Sequence, residues 1–301
     1  MTYLQLAAHL FLLVFWTRVW VKPAQSLTLN PFLSGPLRLG DTIAGFLRPA
    51  LGLPDRMTAL ALLLFFWAFQ AMFFIRFGTA WRISFGLIHF RPPGEDLAWG
   101  MQFAYSGLRS AHLLLQAWTL YFFTRLIAPR DRSARAHEAF AFFMSPFSRL
   151  PLVLQPFVLL ALHAAFAFAV LSTGVLLSTG VAQGDAGRPV HALAMDGSAL
   201  SLLLKVGLLA MMSFASGLET LIYAIIFFIL GGLALTLFGA QFLSTVFRES
   251  TDVLMGRFAR NPAVTGGGLD FTPMIFVFAV SFISGNMQVL LMKLLRLPLH
   301  L

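Results

Sequence analysis

Apolar residues run through this chain in long blocks broken by short polar stretches, and the blocks share one length. They cover about 3–21, 57–76, 103–127, 152–179, 219–245 and 273–295. Each supplies roughly the 20 residues that a helix needs to cross the hydrocarbon core of a bilayer. A seventh run, 198–215, contains Lys205, Ser198, Ser201 and Ser213, and reads either as a crossing or as a helix lying in the interface. An unbroken helix from 199 to 246 would be about 70 Å long at ~1.5 Å per residue, so a break is expected at Ser213–Gly217. The pattern predicts an all-α fold: a polytopic helical membrane protein with about six transmembrane helices, arranged as repeated hairpins joined by amphipathic interfacial helices.

The polar stretches carry the second signal. Segments 36–50, 130–150 and 247–262 alternate apolar residues with Arg. That alternation fits helices lying on a membrane leaflet, and the same faces would serve a protein partner. Most of the 21 Lys and Arg fall on the first and third connections and on the one after 245. Six crossings place all three of these connections on the cytoplasmic side, with both termini outside; seven would move the 246–272 loop across. The opening MTYLQLAAHLFLLVFW has no basic start, and Arg18 follows its apolar run. It therefore reads as a retained membrane helix and not as a cleaved signal.

Composition removes the soluble alternatives. Of 301 residues, 58% are hydrophobic and 11% charged, with mean hydropathy +0.82. Soluble domains carry about a quarter charged residues. The net charge of +9 is spread along loops, which fits anionic lipid at a cell membrane, a bacterial inner membrane in particular, and not nucleic acid. Cysteine is absent, which excludes disulfides, thiolate metal sites and cysteine nucleophiles.

Two stretches resemble each other. Residues 40–66 run from Asp41 through Arg48-Pro49 and a glycine to Asp55 and an apolar span. Residues 250–280 run from Asp252 through Arg257 and Arg260-Asn261-Pro262 to three glycines, Asp270 and the last span. A middle version, 137–157, keeps Glu138, Arg149 and Pro151 but lacks the Gly–Asp pair. The chain therefore divides into a first hairpin at 1–77, a divergent central hairpin at 78–197, and an interfacial helix with a last hairpin at 198–301. In GGGLDFTP, Asp270 or Thr272 is placed to cap a helix start, and Pro273 suits the first turn, where its missing N–H costs nothing.

Gly267-Gly268-Leu269-Asp270-Phe271-Thr272-Pro273 resembles the GG-x-D-x-S/T-P signature of the YggT (YlmG) family. Arg257, Arg260 and Pro262 resemble the basic segment that precedes it, and Asn30-Pro31, Arg48-Pro49 and Asp55 repeat the pattern with the glycine pair reduced to Gly52. The resemblance covers about 2–77 and 217–297. It implies small helical-hairpin membrane proteins without known catalysis, linked to cell-division gene neighbourhoods, osmotic tolerance and plastid complex assembly.

Charge within a span is costly and marks a candidate site. Arg109 and Glu219 both follow Ser-Gly-Leu, and would either pair across two spans or snorkel to headgroups. His112 and His163 lie within spans and are the residues available for a b-type haem, against the alternative of hydrogen-bonded packing histidines. No cofactor and no metal site is expected, since no His–carboxylate cluster has metal-ligand spacing. Gly231-Gly232, Ser172, Gly174, Ser178 and Gly180 are small enough to permit close helix packing. Nothing has the form of a catalytic triad, a phosphate loop or a dinucleotide fingerprint. The expectation is a non-catalytic scaffold or accessory subunit, in contact with the bilayer and with other membrane proteins or copies of itself. The alternatives are a channel or transporter using the break beside Glu219, and a haem-carrying electron-transfer subunit.

Overall fold

The computed structural model describes residues 2–21, 30–77, 83–90, 99–127, 134–172, 183–184, 199–259, 265–266 and 269–295. Its helices are α1 Thr2–Trp20, α2 Pro31–Leu51, α3 Asp55–Phe77, α4 Trp99–Ile127, α5 Ala134–Phe143, α6 Gln155–Ser172, α7 Ala199–Leu237, α8 Gln241–Met255 and α9 Thr272–Leu295. Short strands β1 Ile83–Phe85, β2 Ile88–Phe90 and β3 Gln183–Gly184 form one antiparallel sheet, and β4 Thr265–Gly266 pairs with β5 Leu269–Asp270. The protein is an all-α helical membrane protein.

Among the described residues four helices, not six, have both the length and the apolar composition to cross a bilayer: Asp55–Phe73 within α3, then α6, α7 and α9. The 3–21 run contributes only the shorter apolar helix Phe11–Trp20. The 103–127 run does form a helix, α4, but Arg109, His112, Gln116 and Arg125 dilute its apolar character. The break expected at Ser213–Gly217 is not there. α7 runs unbroken through 39 residues, about 58 Å at ~1.5 Å per residue. Ser213 and Ser216 are buried against other helices and leave the ladder intact. The chain turns instead at Phe238–Ala240, where Gly239 adopts φ 73°.

The chain clusters into two compact units, Met1–Trp67 with Leu120–Leu152 and Thr220–Val280, and Ala68–Thr119 with Val153–Glu219 and Ser281–Leu301. In the first unit α2 is delimited by its own sequence. Asn30 Oδ1 accepts from Phe32 N at 3.0 Å, Pro31 occupies the first turn, and Gly52 closes the helix in the left-handed conformation with its N–H on Arg48 O. Asn30 Nδ2 also donates to Arg135 O at 2.8 Å, so the cap ties α2 to α5. Arg18 of α1 pairs with Asp41 of α2 and donates to Leu37 O. The backbones come close here: a Cβ on Gly40 would stand 3.0 Å from Val14 Cγ1. Phe15, Ala59 and Leu62 form one core cluster, while Leu221, Ile225, Leu254, Met255 and Ala259 form another where α7 meets α8.

Two short strands pair antiparallel around the GGGLDFTP stretch. Thr265 pairs with Asp270 and Gly266 with Leu269, and α9 opens directly afterwards at Thr272. Pro273 sits in the first turn, and the first backbone bond runs from Ile275 N to Phe271 O at 3.1 Å.

In the second unit β1 and β2 form a hairpin with a two-residue turn, Gly86-Leu87. Gly86 has φ 59°, and the Gln288 side chain occupies the space that a Cβ would need. Glycine at the first central position is the requirement of a type II′ turn. Ile83, Phe85 and Ile88 are fully buried, so the hairpin is an apolar plug and not a surface loop.

Candidate functional site

The most concentrated polar chemistry in the second unit lies where α4, α6 and α7 face one another. His112, Gln116 and Thr119 are spaced four and three residues apart, so they share one face of α4. His163 comes from α6, and Ser213 and Ser216 come from α7. His163, Thr119 and Ser213 have zero solvent exposure.

Hydrogen bonds join these side chains into one network. His163 Nδ1 lies 2.8 Å from Ser213 Oγ, and His163 Nε2 lies 2.9 Å from Thr119 Oγ1. Thr119 spends its own proton on Leu115 O at 2.8 Å. Its hydroxyl therefore accepts from His163 Nε2–H, which leaves Nδ1 to accept from Ser213. The network thus assigns the neutral imidazole a single tautomer. Gln116 Nε2 donates to Ser213 O at 3.0 Å and to Ser216 Oγ at 2.8 Å, and contacts His112 Nε2 at 3.2 Å. Ser216 in turn donates to Ser213 O at 2.7 Å. Around these bonds the rings are packed flat: His112 stacks on Phe166 with centroids 5.2 Å apart, and Phe85 of the hairpin lies 6.0 Å from His112.

The arrangement has a defined chemical meaning. A serine 2.8 Å from a histidine nitrogen is the spacing of an activated nucleophile. Here both partners are at zero exposure. Both nitrogens of His163 are engaged by hydroxyls, so a haem iron would have to displace one of them. What the network does is cross-link three helices while leaving no exposed donor at His163.

A second polar contact lies nearby in sequence. Gln288 of α9 is fully buried and donates from Nε2 to Glu219 Oε1 of α7 at 2.8 Å. Glu219 is thus joined to Gln288, a partner not foreseen from sequence. Arg109 sits on α4 three residues before His112, within the same unit as Glu219.

The other predicted residues are distributed along the first unit. Arg48 Nη1 pairs with Asp55 Oδ1 at 3.0 Å, both well exposed, with Pro49 in the last turn of α2. Arg257 Nη2 donates to Leu126 O at 3.1 Å, satisfying a carbonyl at the end of α4. The backbone of Asp270 lies in β5, and Thr272 is buried at the start of α9 beside Pro273. Arg260 lies outside the described residues. Among the described residues no group of three His or carboxylate side chains is placed to hold a metal.

Gln116, Thr119, Ser216 and Gln288 were not singled out by the sequence. The signal that would have found the first two is their spacing from His112 on an otherwise apolar helix. Comparison of the chain with protein-family models, with curated proteins and with solved structures finds no match. What stands on the structure is the class: an all-α helical membrane protein.

Proposed function

We propose that the chain is a non-catalytic scaffold or accessory subunit of a membrane protein assembly, of the YggT kind that its GG-x-D-x-T-P stretch resembles, residing in a bacterial inner membrane with its basic connections on the cytoplasmic side. The observation that carries the reading is the buried network around His163. Its hydroxyls, imidazole and the Gln116 Nε2 bind one another with little or no exposure, which serves rigidity. The outward surface fits the same role. Only 17% of the most apolar window of α9 is buried within the chain, so most of that helix is offered to lipid or to another subunit. The deciding experiment is the native mass of the protein extracted in mild detergent from its own membrane at native expression. Mass well beyond the 33.2 kDa chain and its detergent supports the reading. A bare monomer overturns it.

A second reading, transport, is favoured by one observation: Glu219, an ionisable side chain in an apolar helix, is held by Gln288. Proton or cation flux into liposomes that disappears in Glu219→Gln would establish it. Flux indistinguishable from empty liposomes removes it.

A further inference from the structure

The outward side of α9 carries a feature that lipid does not explain. Ile275, Ala279, Phe282, Asn286, Val289 and Lys293 follow one another at alternating intervals of four and three residues, and all six are exposed. They run as a seam along the middle of a broad exposed face that also takes in Met274, Phe278, Ser281, Gly285 and Leu290. Their spacing is the one by which a helix packs along another with a 3.5-residue period. The buried side of α9, with Ser284, Gln288, Leu291 and Leu295, lies on the opposite face. Asn286 therefore sits in the middle of the exposed face of α9.

Its position is the unusual part. Asn286 is nine residues from the end of α9 at Leu295, well inside a helix long enough to cross the bilayer. Nδ2 donates to Phe282 O at 2.7 Å, which uses one of its two protons. The second N–H and the carboxamide oxygen face outward, where acyl chains offer neither a donor nor an acceptor. A polar group there costs free energy unless another helix satisfies it.

We infer that this seam is a dimerisation face, occupied by α9 of a second copy of this chain. The amide chooses the occupant. A carboxamide is donor and acceptor at once, so two copies related by a two-fold axis along the membrane normal bring Asn286 against Asn286 with each need met by its twin. Two copies inserted with one topology meet with these helices parallel, which keeps the residues at equal depth. A single Asn in such a seam also fixes register. Ala279, two seam positions before Asn286, is small enough to let the backbones approach. Lys293 lies in the last turn, where its stem reaches the headgroups. The inference deepens the scaffold reading by naming the partner, and it rests on that reading.

The chain has no cysteine, so single introduced thiols report the contact directly. Full-length Phe282→Cys, Val289→Cys and Ile283→Cys variants are oxidised in liposomes. Ile283 is also exposed but lies off the seam. Disulfide dimers at 282 and 289 and none at 283 are expected. In parallel, subunit counting in liposomes should show Asn286→Leu dimerising about fivefold more weakly, with Asn286→Gln close to the parent. Circular dichroism checks that Asn286→Leu keeps its fold. Equal cross-linking at all three positions, no cross-linking, or an unchanged dimer in a folded Asn286→Leu overturns the inference. A single copy bound to different proteins also overturns it while leaving the scaffold reading intact.

Discussion

His163 Nδ1 accepts from Ser213 Oγ across 2.8 Å, and this one bond joins α6 to α7 at a point with no solvent exposure. Removing the hydroxyl leaves a buried ring nitrogen without its donor. Ser213→Ala is expected to destabilise the protein by about 0.5–2 kcal/mol, the lower part of the range reflecting partners available within a membrane. Thr119→Val removes the acceptor at the other nitrogen and should cost a similar amount. The double variant should cost less than the two added together, because both act on one imidazole. Unfolding titrations in mixed micelles of the four proteins measure this; strictly additive effects would show that the network is not a unit.

Gly256 has φ +56°, and a Cβ there would run into the carbonyl oxygen of Ile127. Neither the backbone conformation nor the space tolerates a methyl group. Gly256→Ala should therefore lower stability by about 1–3 kcal/mol. Gly100, in the first turn of α4 with open space around it, is the control. Gly100→Ala should be neutral or stabilising by up to about 1 kcal/mol. Thermal unfolding in detergent of the two variants gives opposite signs if the close approach is real.

How much of this was readable beforehand follows from which forces act locally. The apolar runs at 57–76 and 273–295 became spanning parts of α3 and α9 because span length is a property of consecutive residues. The cap at Asn30-Pro31 and the stop at Gly52 are likewise local. Ser213 was noticed for the wrong reason. Serines and Gly217 in an apolar run weaken a helix in isolation, but Gln116 and His163 supply partners from other helices. Those partners are about 100 and 50 residues away, beyond what local pattern reports. The two histidines were visible as oddities in apolar runs, whereas the hydroxyls that partner His163 lie on helices whose facing is set only by packing. The hairpin at 83–90 was missed because three-residue strands carry too short a pattern to register.

Arg48 and Asp55 form the ion pair that joins the end of α2 to the start of α3, but their side chains are 60% and 61% exposed. Water and salt screen a pair of that kind, and holding two side chains costs entropy. Asp55→Asn is expected to change stability by less than about 0.5 kcal/mol, and by less still at high salt. A loss of several-fold in assembly with unchanged unfolding would instead mark Asp55 as a partner contact.

The pH response should be carried in part by His137 on α5. Burial, and then the positive charge of Arg125, lower its pKa below the ordinary value of 6.5, and its ring stacks on Tyr121 with centroids 6.0 Å apart. The folded protein thus holds His137 neutral more strongly than the unfolded chain does. The sign follows: where the unfolded chain binds the proton and the folded one does not, lowering the pH favours unfolding. The contribution is complete above about pH 6.5 and declines as the pH falls below that value toward the depressed folded pKa. His137→Phe keeps a ring against Tyr121 and removes the titration. Between pH 7.5 and 5.5 the parent should lose more stability than this variant, as read from paired unfolding curves at the two pH values. Equal losses in both proteins would assign the pH response to other groups.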